Sequence, residues 1–174
     1  MSNAFYVICY MIPMNKSVMQ KITPSLWFDK QAEEAVNFYM SIFKNSKITS
    51  ITRYGEAGPG PKGSVMVVMF ELEGQPFMAL NGGPYYTFSP AISFLVDCKT
   101  QEEVDELWEK LSQNGEVVQC GWLKDKYGIS WQIVPTILGK LLNDPDPLKS
   151  QKVMKAMLQM KKINIEGLQK AYAE

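Results

Sequence analysis

The chain has 174 residues, with 18 Lys+Arg against 18 Asp+Glu, so no basic excess points to a phosphate backbone or an anionic membrane surface. Apolar residues make up 46% and charged residues 21%, which suits one packed domain with an appendage and is too apolar for a disordered chain. Histidine is absent, which excludes Ser-His-Asp and Cys-His triads, zincin motifs and imidazole-based zinc or nickel sites, but not carboxylate-only Mg or Ca sites.

Residues 4–13 (AFYVICYMIP) form an apolar run too short to span a bilayer. It has no basic region before it and no small-residue cleavage pattern after it, which argues against a signal peptide. Residues 1–18 are therefore assigned as a leader or tag, and Met19 as the natural domain start. From Ile22 to Phe28 the pattern predicts a strand. A helix follows over about Gln31 to Phe43, because Ala32, Ala35, Val36, Tyr39 and Phe43 fall on one face. Strands are predicted at Ile48 to Tyr54, Ser64 to Leu72 and Pro76 to Leu80, with a Gly/Pro loop at Gly55 to Gly63.

The order then repeats. Ala91 to Asp97 reads as a strand. Gln101 to Ser112 reads as a helix whose apolar face is Val104, Leu107, Trp108 and Leu111. Short strands follow at Glu116 to Gln119, Gly121 to Lys124 and Ser130 to Val134. The chain thus runs β-α-β-β-β twice, a repeat of element order more than of sequence. After Pro135 the composition changes. Asn143-Asp144-Pro145-Asp146-Pro147 is a turn and helix-start signal, Lys149 to Lys162 reads as a helix with Val153, Met157 and Met160 in a stripe, and Ile165 to Tyr172 as a last short helix. The Met-rich stripe is expected to pack on the main domain or on a second subunit.

Several motifs have structural explanations. Gly58-Pro59-Gly60-Pro61-Lys62-Gly63 matches G-x-G-x-x-G, but a dinucleotide loop must open into a helix, and here a strand follows. It is read as a hairpin loop. Glu33, Glu34, Glu102 and Glu103 lie in first helical turns, where they favour the helix dipole, and Thr100 with Glu103 has capping-box spacing. Asp105, Glu106 and Glu109 are read as a solvated face. Cys9, Cys98 and Cys120 include no CxxC pair; they are read as small buried hydrophobes, and reduced thiols fit a cytoplasmic location.

The stretches Ile22-Thr23-Pro24-Ser25-Leu26-Trp27-Phe28, Gln31-Ala32-Glu33-Glu34-Ala35, Asn37-Phe38-Tyr39, Arg53 through Gly60, Leu80-Asn81-Gly82-Gly83-Pro84, Cys120-Gly121-Trp122 and Trp131 through Pro135 resemble the PhnB-like proteins. These carry the label 3-demethylubiquinone-9 3-methyltransferase domain and belong to the vicinal oxygen chelate (glyoxalase/bleomycin resistance/dioxygenase) superfamily. The resemblance extends over about residues 21–172. It implies an α+β fold of tandem βαβββ modules, at about 21–84 and 88–136, forming a curved mixed sheet with a central cleft. A C-terminal helical extension at 137–174 would complete the chain, and homodimers are usual.

The resemblance also implies where a metal would sit. Its ligand positions fall near Pro24, at Ala91, at Leu80 or Asn81, and at Gln132, which takes the acid's place in D-x-x-G-x-x-x-E with Asp125 and Gly128 in frame. No carboxylate or imidazole occupies them, so no metal, cofactor or catalytic residue is expected. If Gln132 faces the cleft, Trp131 packs under a helix. The same parity groups Pro24, Leu26 and Phe28, and separately Ala91, Ser93 and Leu95. The expected cleft lining is Pro24, Leu26, Asn81, Tyr85, Ala91, Ser93, Cys120 and Gln132, which suits a small, partly apolar molecule. The alternative is a metal-dependent lyase, isomerase or dioxygenase using non-aligned carboxylates such as Glu71 or Glu116. Methyl transfer is not expected, because no Gly-rich turn follows the first strand and no run of parallel βα units exists. The expected partners are the small molecule and a second copy of the chain, with no nucleic acid and no membrane.

Overall fold

The computed structural model describes residues 21–58 and 60–174. The assigned leader at 1–18, with Cys9 and the apolar run at 4–13, and the domain start at Met19 lie outside the described residues. The chain divides into two compact units, one up to Thr87 and one from Phe88 to Glu174.

In the first unit the order is β1 (Ser25–Phe28), α1 (Ala32–Ile42), β2 (Ser46–Arg53), β3 (Val65–Leu72) and β4 (Gln75–Asn81). The sheet order is β1-β4-β3-β2, with β1 parallel to β4 and the other pairs antiparallel. A parallel neighbour requires a crossover, and α1 with β2 and β3 supplies it. Ala32, Ala35, Val36, Tyr39 and Ile42 are the buried stripe of α1, a spacing that lines one side of a 3.6-residue helix. Leu26, Phe28, Val68, Phe70, Phe77 and Ala79 are buried too. They share one side of the sheet by strand alternation and register, with the Phe70 and Phe77 rings stacked at 5.3 Å.

The N-terminus of α1 has no cap from its own Gln31. Instead Asn81, at the end of β4, accepts from the Ala32 amide at 2.8 Å and donates to the Val65 carbonyl at 3.0 Å. One amide side chain therefore satisfies a helix-start donor and ties β3 to β4. It also fixes which side of the sheet α1 covers: the side of Asn81, Ala79 and Leu26.

The second unit repeats the order with β5 (Ser93–Cys98), α2 (Gln101–Ser112), β6 (Glu116–Val117), β7 (Trp122–Lys124) and β8 (Ser130–Pro135). Its sheet order is β5-β8-β7-β6, again with one parallel pair, β5 with β8. Thr100 caps α2, its hydroxyl accepting from the Glu103 amide at 3.3 Å, while the Glu103 carboxylate accepts from the Lys99 amide at 2.6 Å. The helix buries Val104, Trp108 and Leu111 against the side of the sheet that carries Cys98, Leu123, Trp131 and Ile133, all buried. Burial pushes the Cys98 thiol up to about 12, helped by Glu103 and Asp97 nearby. Asp125 and Gly128 shape the β7–β8 turn. The buried Asp125 carboxylate accepts from the Tyr127 and Ile129 amides at 2.9 and 3.0 Å and from the Trp131 indole at 2.9 Å, so this acid is a structural anchor.

Three helices follow: α3 (Thr136–Leu142), α4 (Pro147–Met157) and α5 (Ile165–Ala173). The sequence pattern gave no sign of α3, which starts directly after β8. Asp146 caps α4 through the Leu148 amide at 2.9 Å, and Asn164 caps α5 through the Gly167 amide at 2.6 Å. The helices share a core of Leu138, Leu141, Val153, Ile163 and Leu168, against which Met157, Met160 and the sheet residue Val134 pack. Among the described residues no helix is long and apolar enough to cross a membrane.

Candidate functional site

On the second unit's sheet, the side turned away from α2 carries Ser93, Leu95 and Asp97 of β5, Ser130, Gln132 and Val134 of β8, and Trp122 and Lys124 of β7. Register fixes this grouping, since Leu95, Gln132 and Trp122 are lateral neighbours in one row and Ser93, Ser130 and Lys124 in the next. Gln132 Nε2 donates to Ser93 Oγ at 2.9 Å across the two rows. Gln132, Ser93 and Trp122 are half-buried, whereas Leu95 is 60% exposed, an unusual setting for leucine in mid-strand. Lys124 pairs with Glu116 at 2.5 Å, which holds the Glu116 carboxyl below its ordinary range. The result is an uncharged polar couple bordered by an aliphatic and an aromatic side chain.

On the first unit's sheet, the side turned away from α1 is apolar at its centre, while Lys47 and Thr52 of β2 and Glu71 of β3 share that side. Tyr54, Met66, Val67, Met69 and Leu80 form a buried cluster with Trp27 and Met78 packed against it. The Trp27 indole donates to the Gly83 carbonyl at 2.8 Å, and its ring meets Tyr86 edge-on at 5.1 Å. The Tyr54 hydroxyl donates to the Asn81 carbonyl at 2.9 Å. The loop after β2 closes on the Tyr54 ring: a Cβ at Gly60 would lie 2.4 Å from that ring, and one at Gly58 2.6 Å. The glycines of the G-x-G stretch thus permit close backbone packing on a tyrosine, in agreement with the hairpin reading.

Of the residues expected to line a cleft, the structure brings together Ser93 and Gln132. Ala91 lies just before β5, in an exposed turn where its amide donates to Ser89 Oγ at 3.3 Å. Pro24 is half-buried ahead of β1, its carbonyl accepting from the Met78 amide at 2.9 Å. Tyr85 is 67% exposed in the turn after β4. Leu26 is a correction, because it faces α1 with Phe28. The counting that grouped it with the open side was off by one residue, and a one-residue slip moves every side chain of a strand to the other side. Asn81 is a second correction, since both ends of its amide are spent on α1 and β3. Cys120 is a third. It sits at φ +58°, its amide donating to the Met160 carbonyl at 2.8 Å and its thiol contacting the Met157 carbonyl at 3.7 Å, so it serves the helical extension. Strand register puts Trp27 and Trp122 on the sides away from the helices.

The positions where the resemblance would put metal ligands do not fit a metal. Proline and alanine side chains have no donor atom, Asn81 is fully engaged, and Gln132 offers one neutral oxygen, whereas Zn, Ni or Fe sites need several imidazole, thiolate or carboxylate ligands. Among the described residues no three His, Cys, Asp or Glu side chains come together as a metal site. Glu71 pairs with Lys47 at 3.0 Å, as Glu116 does with Lys124, so the alternative carboxylates are ion-paired rather than clustered.

Two mixed sheets, each covered on one side by the helix of a βαβββ unit, define an α+β protein of two like modules. A PhnB protein from Bacillus cereus, described by the name 3-demethylubiquinone-9 3-methyltransferase, is 45% identical and aligns over 67% of this chain and 100% of its own, with a TM-score of 0.63. Protein PA1353 from Pseudomonas aeruginosa is 20% identical over 67% of this chain and 98% of its own, with a TM-score of 0.57, which shows the fold. Comparison with curated proteins gives no match. The model of the 3-demethylubiquinone-9 3-methyltransferase family matches residues 20–134, and the chain belongs to that PhnB-like family. The match ends within β8, so α3, α4 and α5 lie outside it.

Proposed function

We propose that this chain is a metal-free binding protein that takes up a small, partly apolar molecule on the side of the second unit's sheet away from α2. The observation that carries the reading is the Gln132–Ser93 hydrogen bond at 2.9 Å, set between Leu95 and Trp122. A polar couple flanked by apolar side chains is the usual composition of a small-molecule site. Gln132 also stands where metal-using relatives of the class would place an acid. The site lacks a group suited to general base chemistry near neutral pH. The methyltransferase in the family name is not part of the proposal, since a sheet with one parallel pair per unit lacks the strand, Gly-rich turn and helix that hold such a cofactor.

Calorimetric titration of the purified full chain with Ni, Zn, Mn and Fe(II) tests the metal-free part. The expected outcome is no stoichiometric binding at micromolar concentration. One equivalent bound at that affinity, lost in Gln132→Ala, overturns the proposal.

A further inference from the structure

We propose that the occupant of this side of the sheet is an uncharged molecule with an acceptor and a donor side by side, of the carboxamide class, carried on a flat apolar ring. The inference rests on the binding reading above and narrows it. Gln132 Nε2 spends one N–H on Ser93 Oγ, which fixes the plane of the amide. Its second N–H and its Oε1 have no partner among the described residues, and neither does the Ser93 hydroxyl proton. The remaining N–H and the Oε1 leave this group one donor and one acceptor to offer, which a second amide complements: ligand C=O to Gln132 N–H, and ligand N–H to Gln132 Oε1. The Ser93 hydroxyl adds a donor for the ligand oxygen.

Charge excludes the nearest competitors. A carboxylate in the same place would set an anionic oxygen against Oε1 and find no free cation, because Lys124 on this side is paired with Glu116 at 2.5 Å. Asp97, two residues beyond Leu95 on the same strand side, accepts from Thr136 Oγ1 at 3.0 Å and adds negative charge that works further against an anion. An ammonium would use Oε1 but leave the amide N–H facing a second donor. Leu95 and Trp122 lie on either side of Gln132 in one lateral row, which places apolar surface where a ring attached to the amide would rest.

The experiment is a ¹⁵N–¹H titration of the full chain with benzamide, benzoate, benzylamine and toluene as probes. Benzamide is expected to move the resonances of Ser93, Leu95, Gln132 and the Trp122 indole, and to bind about tenfold or more tightly than benzoate or benzylamine, the effect of one to two good hydrogen bonds. Gln132→Leu is expected to remove that preference. Ser93→Ala, which keeps the reciprocal pair, is expected to reduce it in part; dispersed spectra of both variants establish that they fold. Equal or tighter binding of benzoate or benzylamine, or a benzamide preference that survives Gln132→Leu, overturns the carboxamide assignment and leaves the broader binding reading standing. No shift at these residues with any of the four probes overturns both.

Discussion

Asn81 illustrates how one side chain can look like a ligand-binding residue and act as a framework residue. It precedes two glycines at the end of the first unit, a setting that suggested a turn or a cleft border. Its amide instead bridges the start of α1 and the carbonyl of Val65, at 2.8 and 3.0 Å. Removing it orphans a helix-start N–H and a strand carbonyl together, so Asn81→Ala is expected to cost about 1–3 kcal/mol in urea unfolding. Asn81→Asp keeps the acceptor for Ala32 but loses the donor to Val65, and should fall between the two. An unchanged unfolding midpoint in Asn81→Ala would mean that neither bond matters to the fold.

At the scale of elements, the helical extension is held to the second unit by a small set of long-range polar contacts. Gln101 of α2 donates to the Ile163 carbonyl at 3.2 Å and accepts from the Ile165 amide at 2.8 Å. Cys120 and Gly121, both at positive φ, present their amides to the Met160 and Lys161 carbonyls at 2.8 Å. Lys162 pairs with Asp105 at 2.6 Å, so this partly exposed carboxylate also serves the attachment. The hydrogen bond from Lys162, and then that from Gln101, hold the Asp105 carboxyl below its ordinary range. A carboxyl whose folded pKa is depressed contributes stability above its unfolded value and loses it as pH falls through the folded one. Lys162→Met should therefore be less stable than the parent at pH 7, by under about 1 kcal/mol because the pair is partly exposed, with the difference vanishing toward pH 3. A gap that persists in acid would place the effect in the lysine's packing and not in its charge. Gly121 gives a sharper test. A Cβ there would lie 2.7 Å from the Ile133 carbonyl oxygen at φ +82°, so Gly121→Ala should cost at least about 1–2 kcal/mol and loosen α5.

Which of these features the sequence displayed follows from their range. Element order came through because periods of two and 3.6 are written into short windows, and α2 was located to the residue. The cap signalled by its neighbours, Thr100 with Glu103, was equally legible, and the helix start at 143–147 was read as a signal without its cap residue. Gln101 with Ile165 was not, being 64 residues apart with nothing distinctive in either local pattern. Nor was the long-range cap from Asn81. The side on which β1 presents Leu26 hung on a one-residue count that short strands do not fix by themselves. In the candidate site, Gln132 came from the motif frame of the resemblance and Ser93 from strand parity, whereas Trp122 did not emerge, because a tryptophan pattern alone does not say which side of a three-residue strand it occupies.

Across the whole molecule, the absence of histidine removes the side chain that ordinarily makes protein stability change near neutrality. The groups whose folded pKa moves lie on either side of that range. Asp105, Glu116 and Asp144 are held down by hydrogen bonds from Lys162, Lys124 and Tyr172, and Glu102 by hydrogen bonds with its own backbone amide and with Thr100, so their contribution is present above the carboxylate range and is lost in acid. Cys98 is pushed up to about 12 by burial, and Tyr54 is raised for the same reason. A group raised in the folded state stabilises below its unfolded value and ceases to do so as pH climbs through the folded value, so these two act only on the alkaline side. The thermal unfolding midpoint should therefore be level from pH 6 to 8, fall below about pH 5 as the four carboxyls protonate, and fall again above about pH 9 as unfolding releases the Cys98 and Tyr54 protons. Cys98→Ala should flatten part of the alkaline limb and leave the acid limb as it was. A step in the midpoint between pH 6 and 8 would contradict this account, because it would require a strongly shifted carboxyl or thiol in the folded chain, a group of the kind general base chemistry uses. That outcome would count against the binding reading as well, since a poised base is what the second unit's uncharged Ser93–Gln132 couple lacks.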